Sequence, residues 1–399
     1  MIPAFAMRGA CSRRGIDRSR WRAGLNTILA VVAVAGLSSQ NIANAQVHAA
    51  PKQLRDVGAP GVVMAWVDEA GNSNIASAGV SSLASSKPVD RHTIFHMASV
   101  TKPFVATAIM QLAEAGKIDL DASPARYIPY LRIDDPRGAE VTIRQMLNHS
   151  SGLPDVGDYQ WDKPQTDDGA LERWVRGLSD IHLVSAPGSA FHYSNFAYDL
   201  LADVIAKASG MSFEAYLRQR VLMPMGMRHS SLLLADIDRR RLATPHMADA
   251  SGTRASPIFP YNRIHAGSST LYADAADMLR WAQYWAKPDA RLLSSRGIAM
   301  MLRPTIGIDR PDRKRWRPMM GLGWFLLTIE GRTITYHMGQ DVGFTTGLMV
   351  EPGTGRAVVV MSNIATEDTS DRIFALCLRR MTAMQASSRR AGSFPATNH

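Results

Sequence analysis

Cysteine is scarce in this chain: two in 399 residues, Cys11 and Cys377. Neither a CxxC pair nor a Cys/His spacing suited to a metal is present. That excludes a disulfide-stapled scaffold and leaves no structural zinc site, metal or cofactor to expect. Long apolar runs are missing too, since the most apolar stretch, Leu25 to Leu37, is shorter than the roughly 20 residues that span a bilayer. No internal repeat is evident. Apolar residues make up 46%, charged residues 20% and aromatics 7%, close enough to globular averages to exclude a coiled coil, a collagen-like chain or a mostly disordered one.

Acidic residues are the scarcer charge, 35 Asp+Glu against 45 Lys+Arg, for a net charge of +10. Such a balance invites a nucleic-acid or membrane partner. Its distribution removes that reading. Residues 1–45 hold Arg8, Arg13, Arg14, Arg18, Arg20 and Arg22 against Asp17 alone, and the end of the chain holds Arg379, Arg380, Arg389 and Arg390 with no acid. The body between is nearly neutral, whereas a nucleic-acid surface needs Lys/Arg clustered on the fold itself. The N-terminal arginines, the Leu25–Leu37 stretch and the closing Ala43-Asn44-Ala45 have the layout of a secretory signal. Cleavage is expected after Ala45, giving a periplasmic or secreted protein from Gln46 with no stable membrane anchor. The alternative is an uncleaved anchor. Arg13-Arg14 hints at twin-arginine export, which Gly15-Ile16-Asp17 continue poorly.

Strand patterns open and close the body. GVVMAWV (61–67) and SNIASAGV (73–80) flank a turn at Asp68–Asn72. GWFLLTI, TITYHMG, GFTTGLMVEP and RAVVVMSN follow Gly321, joined by Glu330-Gly331 and Pro352-Gly353-Thr354-Gly355. Between them, helical spacing predicts a helix from Thr93 to Lys117 stopped by Gly116. Further helices are predicted over Asn195–Ser209 ended by Gly210, Phe213–Leu222, and Ala273–Trp285 opened by Asp274, with a last one at Asp371–Met381. This order predicts an α/β fold in which both ends share one antiparallel β-sheet flanked by helices. An α/β lobe covers about 46–120 and 260–378, and a mainly helical lobe of about 121–259 is inserted between. The basic tail, 379–399, reads as disordered, and Cys377 as a core residue.

Three elements carry chemistry. Ser99 and Lys102, three apart on a helix, share a face, so an amine of lowered pKa can take the serine proton. Of the eight lysines only Lys102 has a serine three residues before it. The plainer alternative is a capping serine beside a surface lysine. Tyr193 and Asn195 precede a strong helix: a tyrosine near cations can move protons, while Asn195 either contacts an amide-like substrate or caps the helix. His-x-Gly occurs at His265-Ala266-Gly267 and at His337-Met338-Gly339. The second is preferred, because it ends a strand where glycine admits a substrate and a backbone N–H can face an oxyanion.

In this order, with MLNHSSGLPD (146–155), PGSAFHYSNFAYDLLADVIAKASGMSFEAYL (187–217), PMGM (224–227), GLGWF (321–325) and HMGQDVGFTTGLMVEPGTGRAVVVMSN (337–363), these elements resemble the serine β-lactamase and penicillin-binding-protein superfamily. The likeness is to its class C-like branch, which includes D-alanyl-D-alanine carboxypeptidases, D-aminopeptidases and esterases, and it covers most of 55–378. It implies a β-lactamase/transpeptidase-like fold with Ser99 as acylated nucleophile, Lys102 as its activator and Tyr193 as general base and acid. Asn195, His337 and Gly339 become substrate contacts, and the backbone N–H groups of Ser99 and Gln340 the oxyanion hole. The substrate is then a peptide or small molecule. One departure stands out: class C β-lactamases carry Lys where this chain has His337, and imidazole is largely neutral at pH 7. The expectation is therefore a peptide or ester hydrolase with slow or absent β-lactam turnover. The alternatives are a class C-like β-lactamase or a non-catalytic penicillin-binding sensor.

Overall fold

The computed structural model describes residues 52–309 and 318–391. The expected signal segment lies outside the described residues, as does the end of the chain from 392. The first hairpin forms where its alternation predicts. β1 (Gly61–Val67) pairs antiparallel with β2 (Ser73–Gly79), and Gly71 supplies φ +86° to the turn. Next come β3 (Ile94–His96) and, much later, β4 (His246–Asp249), β5 (Gly252–Ala255) and β6 (Tyr272–Asp274). The last part of the chain adds β7 (Ile306–Gly307), β8 (Met319–Met320), β9 (Phe325–Ile329), β10 (Arg332–Asp341), β11 (Phe344–Glu351), β12 (Arg356–Ser362) and β13 (Ile364–Ala365).

Eight strands make one sheet in the order β2-β1-β12-β11-β10-β9-β8-β7, every pair antiparallel. Val63 lies opposite Met361, so the two ends of the chain do meet in one sheet with the helical segments inserted between them. All of β11 and β12 and all of β1 except Trp66 are buried, because helices cover both faces. Period-2 alternation divides these side chains. Val63, Ala65, Val359 and Met361 pack with Trp281 and Trp285 of the helix Ala275–Ala286. Val62, Met64, Val358 and Val360 pack with Ile373 and Cys377 of the helix Thr369–Ala391. Cys377 is a core residue as expected, and burial pushes its thiol pKa up.

Two expectations are corrected. Residues 93–117 are not one helix: β3 comes first, then a 3-10 turn (Ala98–Thr101), and the α-helix runs Lys102–Glu114, with Gly116 at φ +69° beyond its end. Three residues are too few to show alternation, and β3 exists because it pairs with β6, Phe95 opposite Ala273. The reading of 379–399 as disordered also fails over its first part, since the last helix continues to Ala391. Met381 and Met384 extend the buried stripe of Cys377, and the Arg380 guanidinium stacks 3.8 Å from the Trp66 ring centre. The helices Asn195–Ser209 and Ala275–Ala286 lie where expected. Ser194 caps the first and Gly210, at φ +73°, ends it, while Asp274 caps the second by accepting from the Asp277 backbone N–H at 2.8 Å.

Candidate active site

Ser99 is placed by a strained turn. The chain leaves β3 through Met97 and Ala98, a buried non-glycine residue at φ +49°, and enters the 3-10 turn that carries Ser99. Such a conformation costs about 1–3 kcal/mol and persists only where the surroundings over-determine it. Here they do. The Thr101 hydroxyl donates to the Ala98 carbonyl at 2.7 Å and accepts from the Leu271 N–H at 3.1 Å, while the Thr346 hydroxyl donates to the Met97 carbonyl at 2.8 Å. β10 lies against this turn at Gly339. A β-carbon there would come within 2.4 Å of the Met97 carbonyl oxygen and 3.0 Å of the Ser99 nitrogen, so the glycine is required by close approach.

Lys102 is fully buried, and its Nζ donates to three acceptors: Ser99 Oγ at 3.1 Å, Asn195 Oδ1 at 2.6 Å and the Ser268 carbonyl at 2.9 Å. Burial lowers its pKa to about 8, against the opposing pull of Asp199, Asp155 and Asp341. The surface-lysine alternative is thereby excluded. The Tyr193 ring centre lies 5.0 Å from Nζ. Burial drives the phenol pKa well above its usual range although a Ser99 hydrogen bond opposes this, so the resting group is protonated. Asn195 does not cap its helix, since Ser194 does so; its Oδ1 faces Lys102, and its backbone N–H donates to Asp155 at 2.7 Å.

His337 is buried on β10. Its Nδ1–H donates to the Met338 carbonyl at 2.7 Å, and its Nε2 is buried without a partner among the described residues. Burial first, then the Lys102 charge, lowers its pKa to about 3, so the imidazole is neutral. The Gln340 side chain turns away, donating to the Thr366 carbonyl at 2.8 Å and accepting from Ser370 at 2.7 Å. The other His-x-Gly is structural: His265 Nδ1 lies 2.8 Å from Asp199 Oδ2, both buried, and Gly267 packs against the Tyr198 carbonyl.

The site also includes residues to which the sequence analysis assigns no role. Asp199 Oδ1 accepts from the Ser268 N–H at 2.9 Å, which holds the carbonyl that Lys102 uses. His149, at φ +58°, stacks on Tyr193 with ring centres 4.3 Å apart, and its Nδ1 accepts from the Ser194 N–H at 3.1 Å. Burial holds its pKa well below the usual imidazole value, with Lys102 and His337 adding to the effect. Its place in MLNHSSGLPD was the available signal; its partner in the fold was not.

A serine with a buried amine at its hydroxyl and a glycine strand against its N–H define the class: a serine hydrolase of α/β architecture. The profile of the family described as Beta-lactamase matches residues 46–376, and the chain belongs to that family. Penicillin-binding protein 4 of Amycolatopsis lactamdurans is 29% identical over 327 residues, 78% of this chain and 83% of that protein. The D-alanyl-D-alanine-carboxypeptidase/endopeptidase AmpH of Escherichia coli (strain K12) is 28% identical over 290 residues, 67% of this chain and 71% of that protein. Among solved structures, the D-amino acid amidase from Ochrobactrum anthropi SV3 superimposes with TM-score 0.70 at 23% identity, covering 88% of this chain and all of that one, 100%. The octameric penicillin-binding protein homologue from Pyrococcus abyssi gives TM-score 0.72 at 23% identity over 90% of this chain and 78% of its own.

Proposed function

We propose that the chain hydrolyses an amide or ester bond through a covalent acyl-enzyme on Ser99. The observation that carries this reading is the fully buried Lys102 amine, 3.1 Å from Ser99 Oγ and with a pKa near 8. In its neutral form Lys102 accepts the Ser99 proton as Oγ attacks the substrate carbonyl. The backbone N–H groups of Ser99 and Gln340 receive the developing oxyanion. The acyl–nitrogen or acyl–oxygen bond then breaks, and the leaving group departs with the proton, passed on by Tyr193. Water attacks the ester, returns a proton to Ser99 and frees the acid. The raised Tyr193 pKa favours the acid and relay role over that of a resting base.

The substrate class follows from His337. With Nδ1–H committed to the Met338 carbonyl, the buried His337 ring brings no positive charge to the strand beside Ser99. Exposed Asp155, bonded to Asn195, adds a carboxylate. Both favour substrates that present N–H or ammonium donors over those recognised by a free carboxylate, and the likeness to a D-amino acid amidase agrees. Amides or esters of D-amino acids with a free amine are therefore the expected substrates, with slow β-lactam turnover. A fluorescent phosphonate should label Ser99, as read by intact mass, and labelling should vanish in Ser99→Ala and fall at least 10²-fold in Lys102→Ala. Unchanged labelling in Lys102→Ala would sink the mechanism. Nitrocefin turnover at the rate of a dedicated β-lactamase, abolished by Ser99→Ala, would overturn the substrate preference.

A further inference from the structure

Away from Ser99, three segments distant in sequence bring metal-ligating side chains to one point. His92 precedes β3, His229 follows the turn at Gly226, and Asp274 ends β6. His92 Nδ1 lies 3.2 Å and His229 Nδ1 2.8 Å from the same oxygen, Asp274 Oδ2. The two rings are perpendicular, with centres 5.5 Å apart. One ligand atom from each of the three residues falls within 4.8 Å of the others. We propose that His92, His229 and Asp274 bind a zinc-class divalent ion, which clamps the β3–β6 pair.

Donor chemistry, spacing and burial support this. Two imidazole nitrogens and one carboxylate oxygen form a donor set that zinc, cobalt and nickel prefer over magnesium or calcium. Tetrahedral zinc, with bonds of about 2.0–2.2 Å, holds its ligand atoms roughly 3.2–3.5 Å apart. The two Asp274 separations are already close to that, and the histidines, 42% and 40% exposed, have freedom to close the remaining gap. Asp274 itself is fully buried, and its Oδ2 meets both of these imidazoles. The carboxylate is held from behind as a metal ligand needs: Oδ1 accepts the Asp277 N–H at 2.8 Å. The His229 backbone is fixed in turn, its N–H donating to Asp277 Oδ2 at 2.8 Å. Arg280 is engaged by Asp277 at 3.0 Å. His229 also lines a surface cleft of about 460 Å³. The residues are 92, 229 and 274, so no local spacing announces them.

The ion's role is structural, because β3 leads straight into the Met97–Ser99 turn while no reacting group belongs to the cluster. Full-length chain freed of metal with EDTA and titrated with zinc chloride by calorimetry should take up one equivalent, and cobalt chloride should give the visible absorption of a tetrahedral site. His92→Gln and His229→Gln should each weaken zinc binding at least tenfold, and the double variant should abolish it. Zinc should raise the Tm of the wild-type chain and leave that of the double variant unmoved. Metal-free labelling of Ser99 should be equal in all of them, which separates this site from the hydrolytic one and shows that the variants fold. No uptake by the wild-type chain, or the same affinity in the double variant, would overturn the proposal and leave a carboxylate simply hydrogen-bonded by two histidines.

Discussion

At the scale of single residues, the proposed mechanism depends on withholding water from an amine. A lysine exposed to solvent is protonated at pH 7 and cannot take a proton; burial lowers Lys102 to about 8 and makes a useful fraction neutral. The sign of the pH dependence follows. The base acts when deprotonated, so kcat/KM should rise with pH and level off above about 8, a limb that reports the free enzyme and is measurable with a D-amino-acid p-nitroanilide. His337 sits near the same charge and stays neutral throughout that range, since its pKa is about 3. It should add no second limb between pH 5 and 9, which a profile from wild-type chain would reveal. Ser99 and Lys102 were legible as candidates in the sequence because a spacing of three brings two side chains together across one helical turn, here the passage from the 3-10 turn Ala98–Thr101 into the helix Lys102–Glu114. Ala98 at φ +49° was not legible, because strain at a non-glycine residue is imposed by its surroundings.

At the scale of elements, the C-terminal helix shows how composition misleads. QASSRR reads as a polar, basic tail, yet the helix continues through it to Ala391, after Met381 and Met384 have joined the stripe that buries Ile373 and Cys377. Both pack in the cluster of Leu54, Val57, Ile334 and Met349 on the outer face of the sheet. Burying a methionine side chain contributes about 1.5–3 kcal/mol, so a chain ending at Leu378 should lose about 3–6 kcal/mol. Its thermal melt should move down by roughly 4–8 °C, while a chain ending at Ala391 should melt like the full one. β3 makes the complementary point. Its three residues have no pattern to read, and its partner strand begins at Tyr272. Long, strongly periodic elements such as Asn195–Ser209 and β12 announce themselves, whereas short ones are defined by what they meet.

At the scale of the whole molecule, the net charge of +10 belongs to the ends of the chain. The arginines before Leu25 fit export, and Arg380 is spent on stacking against Trp66. If the first segment is a secretory signal, the chain expressed with it in a Gram-negative host should be recovered from the periplasm with Gln46 at its N-terminus. Retention in the inner membrane at full mass would show an anchor instead. Among the described residues no helix is long and apolar enough to cross a membrane. The sequence by itself determined the strand–helix–strand order and the long helices, because periodicity is a local property, and it offered Ser99, Lys102, Tyr193, Asn195 and His337 as candidates through residue chemistry and resemblance. Only the tertiary structure decided that Lys102 is dry, that Tyr193 stays protonated, that His149 stacks on it, and that His92, His229 and Asp274 meet. Desolvation and side-chain juxtaposition depend on segments 44 to 182 residues apart in the chain, and no local pattern encodes such pairings.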